Sequence, residues 1–164
     1  MNGAAYAKFQ LEQAFNLLNG TAVGMTDDQY NHHPGGTCNP AAKNHVHSLT
    51  AVDFFVLNKA AGKEMLWPAF AAKHGLPANS QEIWGYTGAI PLAAITEFGT
   101  TVQKAALDYV GSLTDADLDR PVDTQFFGTQ SLAFLIQLAA MHAVGHTGDI
   151  AAVKGFQGLK GLPF

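Results

Sequence analysis

Near the end of the chain, His142, His146 and Asp149 follow one another at intervals of four and three residues within the stretch Leu138–Ile150. On an α-helix, at about 100° per residue, that spacing puts the side chains on one stripe. Imidazoles at i and i+4 have Cβ atoms roughly 5–6 Å apart, so both rings can reach one ion at about 2.0–2.1 Å. The surrounding run from Leu132 to Val153 is apolar, lacks proline and is too long for a strand, and it reads as a buried helix. Polar groups on the inward face of such a helix need partners, and a metal ion supplies one. The alternative is a set of core histidines, each satisfied by a backbone carbonyl, which is the commoner fate of a lone histidine on an apolar face. A third ligand elsewhere in the chain would favour the metal.

His47 is the candidate for that ligand, because it is the other histidine that falls on an inward helical face. Three neutral histidines leave an ion with its full charge and at least one open coordination position, the pattern of catalytic rather than structural sites. Such an ion is a Lewis acid that lowers the pKa of a bound thiol or water. Asp149 reads as an acceptor that orients a ligand histidine through its second N–H, in preference to a fourth ligand.

Four main helices must position these residues. The first runs from about Ala4 to Asn19, with Leu11, Ala14, Phe15 and Leu18 on its apolar face and Gly20 as its stop. Thr26-Asp-Asp-Gln29 is a capping-box pattern for a short helical turn leading to the loop His32-His33-Pro34-Gly35-Gly36. Asn39 as N-cap and Pro40 in the first turn open the second helix, which reaches about Ala61 and is closed by Gly62. His47, Thr50, Ala51, Phe54 and Asn58 face inward on it, and His45, Ser48 and Lys59 take the wetter side. Gly62 to Gly88 is a long connection with one helical piece near Trp67–Lys73, of the kind that often lines a functional mouth. The third helix spans Pro91 to Val110 and stops at Gly111. Thr114-Asp-Ala-Asp117-Leu118 repeats the capped short turn, Arg120 to Gln130 makes an irregular or briefly extended crossing, and the fourth helix extends to Lys154 with Gly155 as its stop. The glycine-punctuated tail from Gly158 to Phe164 lies on the surface or against a partner. With no alternating strand pattern, the expected class is all-α, a four-helix bundle with long crossover connections, formed as a single domain over residues 1–164.

Composition narrows the function. A chain of 164 residues with 48% hydrophobic and 13% charged residues can bury a proper core. A net charge of −4 and scattered basic residues argue against nucleic acid and against a polybasic membrane anchor. The most apolar run, Leu132 to Gly145, contains Gln137 and His142 and falls short of the ~20 residues needed to span a bilayer, and no secretory signal pattern is present. One cysteine, Cys38, excludes an intramolecular disulfide and suits the cytoplasm. Ala143 stands where a His-Glu-x-x-His protease would need its base, and neither paired Glu-x-x-His motifs nor a glycine-rich nucleotide loop is found.

The order and spacing of Thr26-Asp-Asp-Gln-Tyr30, His33-Pro34-Gly35, Asn39 to Phe55 with His47 and Asp53, and His142-Ala-Val-Gly-His146-Thr-Gly148-Asp149-Ile150 resemble the DinB/YfiT-like superfamily over nearly the whole chain. The tryptophan common before that family's second-helix histidine is missing, and His45 lies two residues from His47 as a competing candidate on the other side of the helix. The resemblance implies His47, His142 and His146 as ligands of nickel, zinc or iron. It also implies a metal-dependent enzyme of the thiol-dependent S-transferase or isomerase kind, acting with a low-molecular-weight thiol, and assembly as a homodimer. The rivals are a non-catalytic metal-binding or stress-related protein and a homodimeric bundle whose histidines fill the dimer core.

Other residues take plainer roles. Cys38, His32 and His33 read as loop residues and His74 as a surface residue. Asp53, about 120° round the helix from His47, reads as a surface or interhelix contact. Phe54, Phe55, Trp84 and Phe127 would pack the core or wall a pocket, and Gly145 and Gly148 would let helices approach closely.

Overall fold

The computed structural model describes residues 1–164. It contains six α-helices: α1 (Gly3–Ala22), α2 (Asp27–Asn31), α3 (Ala41–Val52), α4 (Trp67–His74), α5 (Leu92–Gly111) and α6 (Leu132–Phe156). Helix α3 continues into a wider π-helical stretch, Asp53–Ala60. Short 3₁₀ turns occupy Ser80–Trp84 and Asp115–Asp119. Helix α6 packs against α1 and α3, and α5 packs against the same two. All six helices contribute to one contiguous cluster of 34 buried apolar residues, in which Leu11, Phe15, Leu49, Phe98, Leu135 and Ile150 meet. No helix is long and apolar enough to cross a membrane.

The ends of the elements follow local chemistry where a side chain can reach. Thr26 and Gln29 form the reciprocal capping box of α2, and Ser131 accepts from the Phe134 N–H to start α6. Pro40, not Asn39, occupies the capping position of α3, and no side chain bonds there. Glycine is a weaker stop than expected: α1 runs through Gly20 to Ala22, and α6 runs through Gly155 to Phe156. Beyond Gly20, burial of Thr21 and Ala22 outweighs the ~1 kcal/mol cost of a helical glycine. Where φ turns positive the glycine does end the helix, as at Gly62 and Gly75.

The segment after Arg120 takes the briefly extended alternative, as a small antiparallel hairpin, β1 (Pro121–Asp123) and β2 (Thr129–Ser131), paired in the register Pro121–Ser131, Val122–Gln130 and Asp123–Thr129. Other expectations are corrected. His45 and Ser48 are buried, because α3 is covered on more than one side by α2, α5 and α6. Helix α6 is exposed along Met141, Val144, Gly145 and Gly148, so it is a half-covered helix. A Cβ at Gly145 or Gly148 would meet nothing within 4 Å, and neither glycine serves close packing in the monomer. His74 is half-buried and stacks on Phe70 with ring centroids 4.4 Å apart.

Candidate metal centre

Helix α6 presents His142 and His146 one turn apart, and α3 packs against it with His47 aimed at the same point. Ring centroids lie 4.9 Å apart for His47 and His142, 5.0 Å for His47 and His146, and 4.5 Å for His142 and His146. One nitrogen from each ring falls within 4.8 Å of the other two. Nitrogens bound to one ion at about 2.0–2.1 Å stand no more than ~4.2 Å apart, so the three donors must draw slightly closer to share one.

The donor set suits a divalent ion. His47 Nδ1 and His142 Nε2 are buried and have no hydrogen-bond partner. Orphaned polar atoms of this kind are costly in a folded interior and call for a ligand. Burial pushes the pKa of His47 down to about 4, with His142 and His146 adding to the effect. Burial likewise lowers His142 to about 4, assisted by His146 and opposed by Asp149. Both rings are therefore neutral at pH 7, with lone pairs available.

His146 is fixed differently. Its Nδ1 lies 2.9 Å from a carboxylate oxygen of Asp149. A neutral ring that donates there carries its lone pair on Nε2, and the carboxylate sets both tautomer and orientation. Asp149 is largely exposed, with 56% of its side chain in solvent. On the opposite side Trp84 tilts against His47 with centroids 4.8 Å apart, and the Thr50 hydroxyl donates to the His47 carbonyl.

The structure keeps His45 out of this cluster. It is 1% exposed and points to the other side of α3, where its Nδ1 lies 3.0 Å from the Tyr30 hydroxyl and its Nε2 lies 3.1 Å from Asn19 Oδ1. Because the Asn19 oxygen can only accept, Nε2 carries the proton and Tyr30 donates to Nδ1. Cys38 is an exposed free thiol, and His32 and His33 are exposed in their loop.

Asp53 has a role that its position in the helix did not reveal. It is fully buried, and its two carboxylate oxygens accept from the Leu66 N–H at 3.1 Å and the Trp67 N–H at 2.9 Å. Burial raises its pKa while these two donors pull it back. The carboxylate thereby caps the start of α4 across an intervening turn, so the interhelix alternative describes it and the surface one does not. An acid inside the apolar run Val52-Asp53-Phe54-Phe55-Val56 was the available signal.

Beside the cluster lies a cavity of about 410 Å³. His47 and His142 form part of its lining, and Phe54, Phe55, Phe127 and Leu138 form much of the remainder. The sequence singled out the first three of these aromatics, but Phe126 from the hairpin was missed, and Trp84 packs on His47 without lining the cavity.

The architecture and this cluster define a predominantly helical protein with a cradle of three histidines contributed by two helices. Residues 10–150 match the family model of the DinB superfamily, and the chain belongs to that superfamily. A solved structure of a conserved protein from Enterococcus faecalis superposes with a TM-score of 0.79 at 14% identity, covering 95% of this chain and 97% of the other. A DinB-like protein from Bacillus subtilis gives a TM-score of 0.69 at 21% identity, covering 97% and 96% respectively. At these identities the likeness is one of fold. No curated protein matches the sequence.

Proposed function

We propose that residues 1–164 form one metal-binding domain, a four-helix bundle of α1, α3, α5 and α6 joined by long crossovers, in which His47, His142 and His146 hold a nickel, zinc or iron ion. The convergence of one nitrogen from each of the three rings, with His47 Nδ1 and His142 Nε2 left without hydrogen-bond partners, carries this reading. A divalent ion there would supply a Lewis acid with an open side. The chain's own residues supply the rest. Asp149 holds the His146 ring, Trp84 backs the His47 ring, and the apolar cavity limits water on one side of the cluster. This arrangement suits a metal-dependent enzyme that joins the sulfur of a low-molecular-weight thiol to an electrophilic carbon, working in the cytoplasm.

We propose a homodimer as well, because Tyr6 and Phe9 on α1 and Met141 and Val144 on α6 leave large apolar side chains exposed on two helices that pack together. A chain that bound metal without catalysis would keep the same cluster.

Elemental analysis of protein purified without added metal tests the first claim. A single ion per chain is expected, lost in His47→Ala and His142→Ala. Unchanged metal content in both variants would refute the site. Adding cellular thiols to the cobalt-substituted protein then tests the chemistry: a changed visible spectrum supports thiol access, and an unchanged one favours the non-catalytic reading.

A further inference from the structure

The cavity next to the histidines has a chemistry of its own. None of its thirteen lining residues is Asp, Glu, Lys or Arg. Thr50 already donates its hydroxyl to the His47 carbonyl, and Asn79 already accepts from the Gln81 N–H. The buried polar atoms left without partners in the lining are the ring nitrogens His47 Nδ1 and His142 Nε2. Lys59 Nζ lies 5.2 Å from the centroid of the Phe54 ring, but Lys59 is not part of the lining.

The hairpin closes one wall with two phenylalanines that remain well exposed, Phe126 at 65% and Phe127 at 49%. Their backbone is nevertheless held firmly from within. Buried Thr124 accepts from the Phe127 N–H at 2.7 Å through its hydroxyl, which itself donates to the Gly128 carbonyl at 2.9 Å. The turn also places Gln125 at φ +70°, a left-handed conformation that side chains other than glycine rarely adopt. A pinned, strained turn that holds two aromatic rings beside an apolar chamber is built to contact something apolar. Phe126 meets Phe54 with ring centroids 5.8 Å apart, so the wall runs on into the π-helical stretch.

We infer that this chamber binds a neutral, predominantly apolar small molecule, with its single polar or reactive end against His47 and His142. The inference rests on the reading of the three histidines as the reacting end. It assigns the chamber to the electrophilic reactant and excludes a charged thiol from it. A low-molecular-weight thiol that carries carboxylate, ammonium or phosphate groups finds no charge in this lining to receive them. About 410 Å³ is the scale of a small-molecule site and too small for a helix or folded segment of a partner.

The test uses two fluorescent probes that differ by one anionic group, N-phenyl-1-naphthylamine and 8-anilinonaphthalene-1-sulfonate, titrated into the protein as purified. The neutral probe is expected to bind at least about tenfold more tightly. Phe127→Asp, at an exposed position that does not threaten the core, is expected to weaken it about tenfold, as is Ala51→Trp, which fills the chamber. Thr101→Glu, at an exposed position of α5 outside the lining, should leave the affinity within about twofold. Equal or tighter binding of the sulfonate, no binding of either probe, or binding insensitive to Phe127→Asp would each overturn the assignment. His142→Ala separates this inference from the metal site, since it should abolish metal binding while retaining the neutral probe. Protein that holds metal but takes up neither probe refutes the chamber alone. Protein that takes up the neutral probe but holds no metal refutes the metal site alone.

Discussion

Acidification should destabilise the protein through His45, and the size of the effect follows from where that ring sits. Burial lowers its pKa to about 4, against 6.5 for an ordinary histidine. The unfolded chain therefore binds a proton there more readily than the folded one. Stability is complete above pH 6.5, is lost as the pH falls from 6.5 towards 4, and levels off below that. The gap between these two values gives a limit of roughly 3 kcal/mol, most of which is lost by pH 4.5. The mechanism is local. A protonated ring has no acceptor for the Tyr30 hydroxyl, which would have to turn and leave its own proton unpaired in the core. His47 and His142 titrate in the same range, so the measurement has to be differential. Urea unfolding of metal-free wild type and His45→Gln at pH 7.5 and pH 4.5 isolates the contribution. Glutamine keeps a donor and an acceptor but does not titrate. The variant should start about 1–2 kcal/mol less stable at pH 7.5 and lose roughly 2–3 kcal/mol less than wild type on acidification. Parallel losses in the two proteins, within about 0.5 kcal/mol, would refute the buried neutral ring.

Three further outcomes are expected. Asp149→Ala should weaken zinc or cobalt binding about 10- to 100-fold by isothermal titration, because His146 loses the acceptor that orients it. The melting temperature of that metal-free variant should hardly move, since Asp149 is exposed. Asp53→Ala should cost about 2–3 kcal/mol in urea unfolding, because the Leu66 and Trp67 N–H groups lose their shared buried acceptor. Lys154→Met should cost about 1–3 kcal/mol by the same assay, because Lys154 Nζ donates to the Thr21 carbonyl at 2.7 Å and the Val23 carbonyl at 3.2 Å at the end of α1. A loss under about 0.5 kcal/mol in either of these two variants would mean that water replaces the missing partner at no cost.

The pairing of His142, His146 and Asp149 was legible in the sequence because helical periodicity is a local property. Once the run from Leu132 is helical, 3.6 residues per turn puts these side chains on one stripe whatever the helix packs against. The capped turns at Thr26 and Thr114 were legible for the same reason, since donor and acceptor lie three residues apart. The sidedness of α3 was not a local matter. His45 and His47 lie on nearly opposite sides, and amphipathic reasoning assigns only one of them inward. Contacts with α2, α5 and α6 bury residues round most of that helix, so His45 meets Tyr30 and Asn19 while His47 meets the α6 pair. The aromatic wall was likewise decided in three dimensions, where a hairpin more than 65 residues beyond Phe54 folds back against it. Asp53 finds its donors thirteen and fourteen residues away, across a turn that no periodicity describes. The sequence by itself determined which groups share a helix face. Only the tertiary structure decided which faces meet, because burial of a polar side chain depends on partners that chain spacing does not specify.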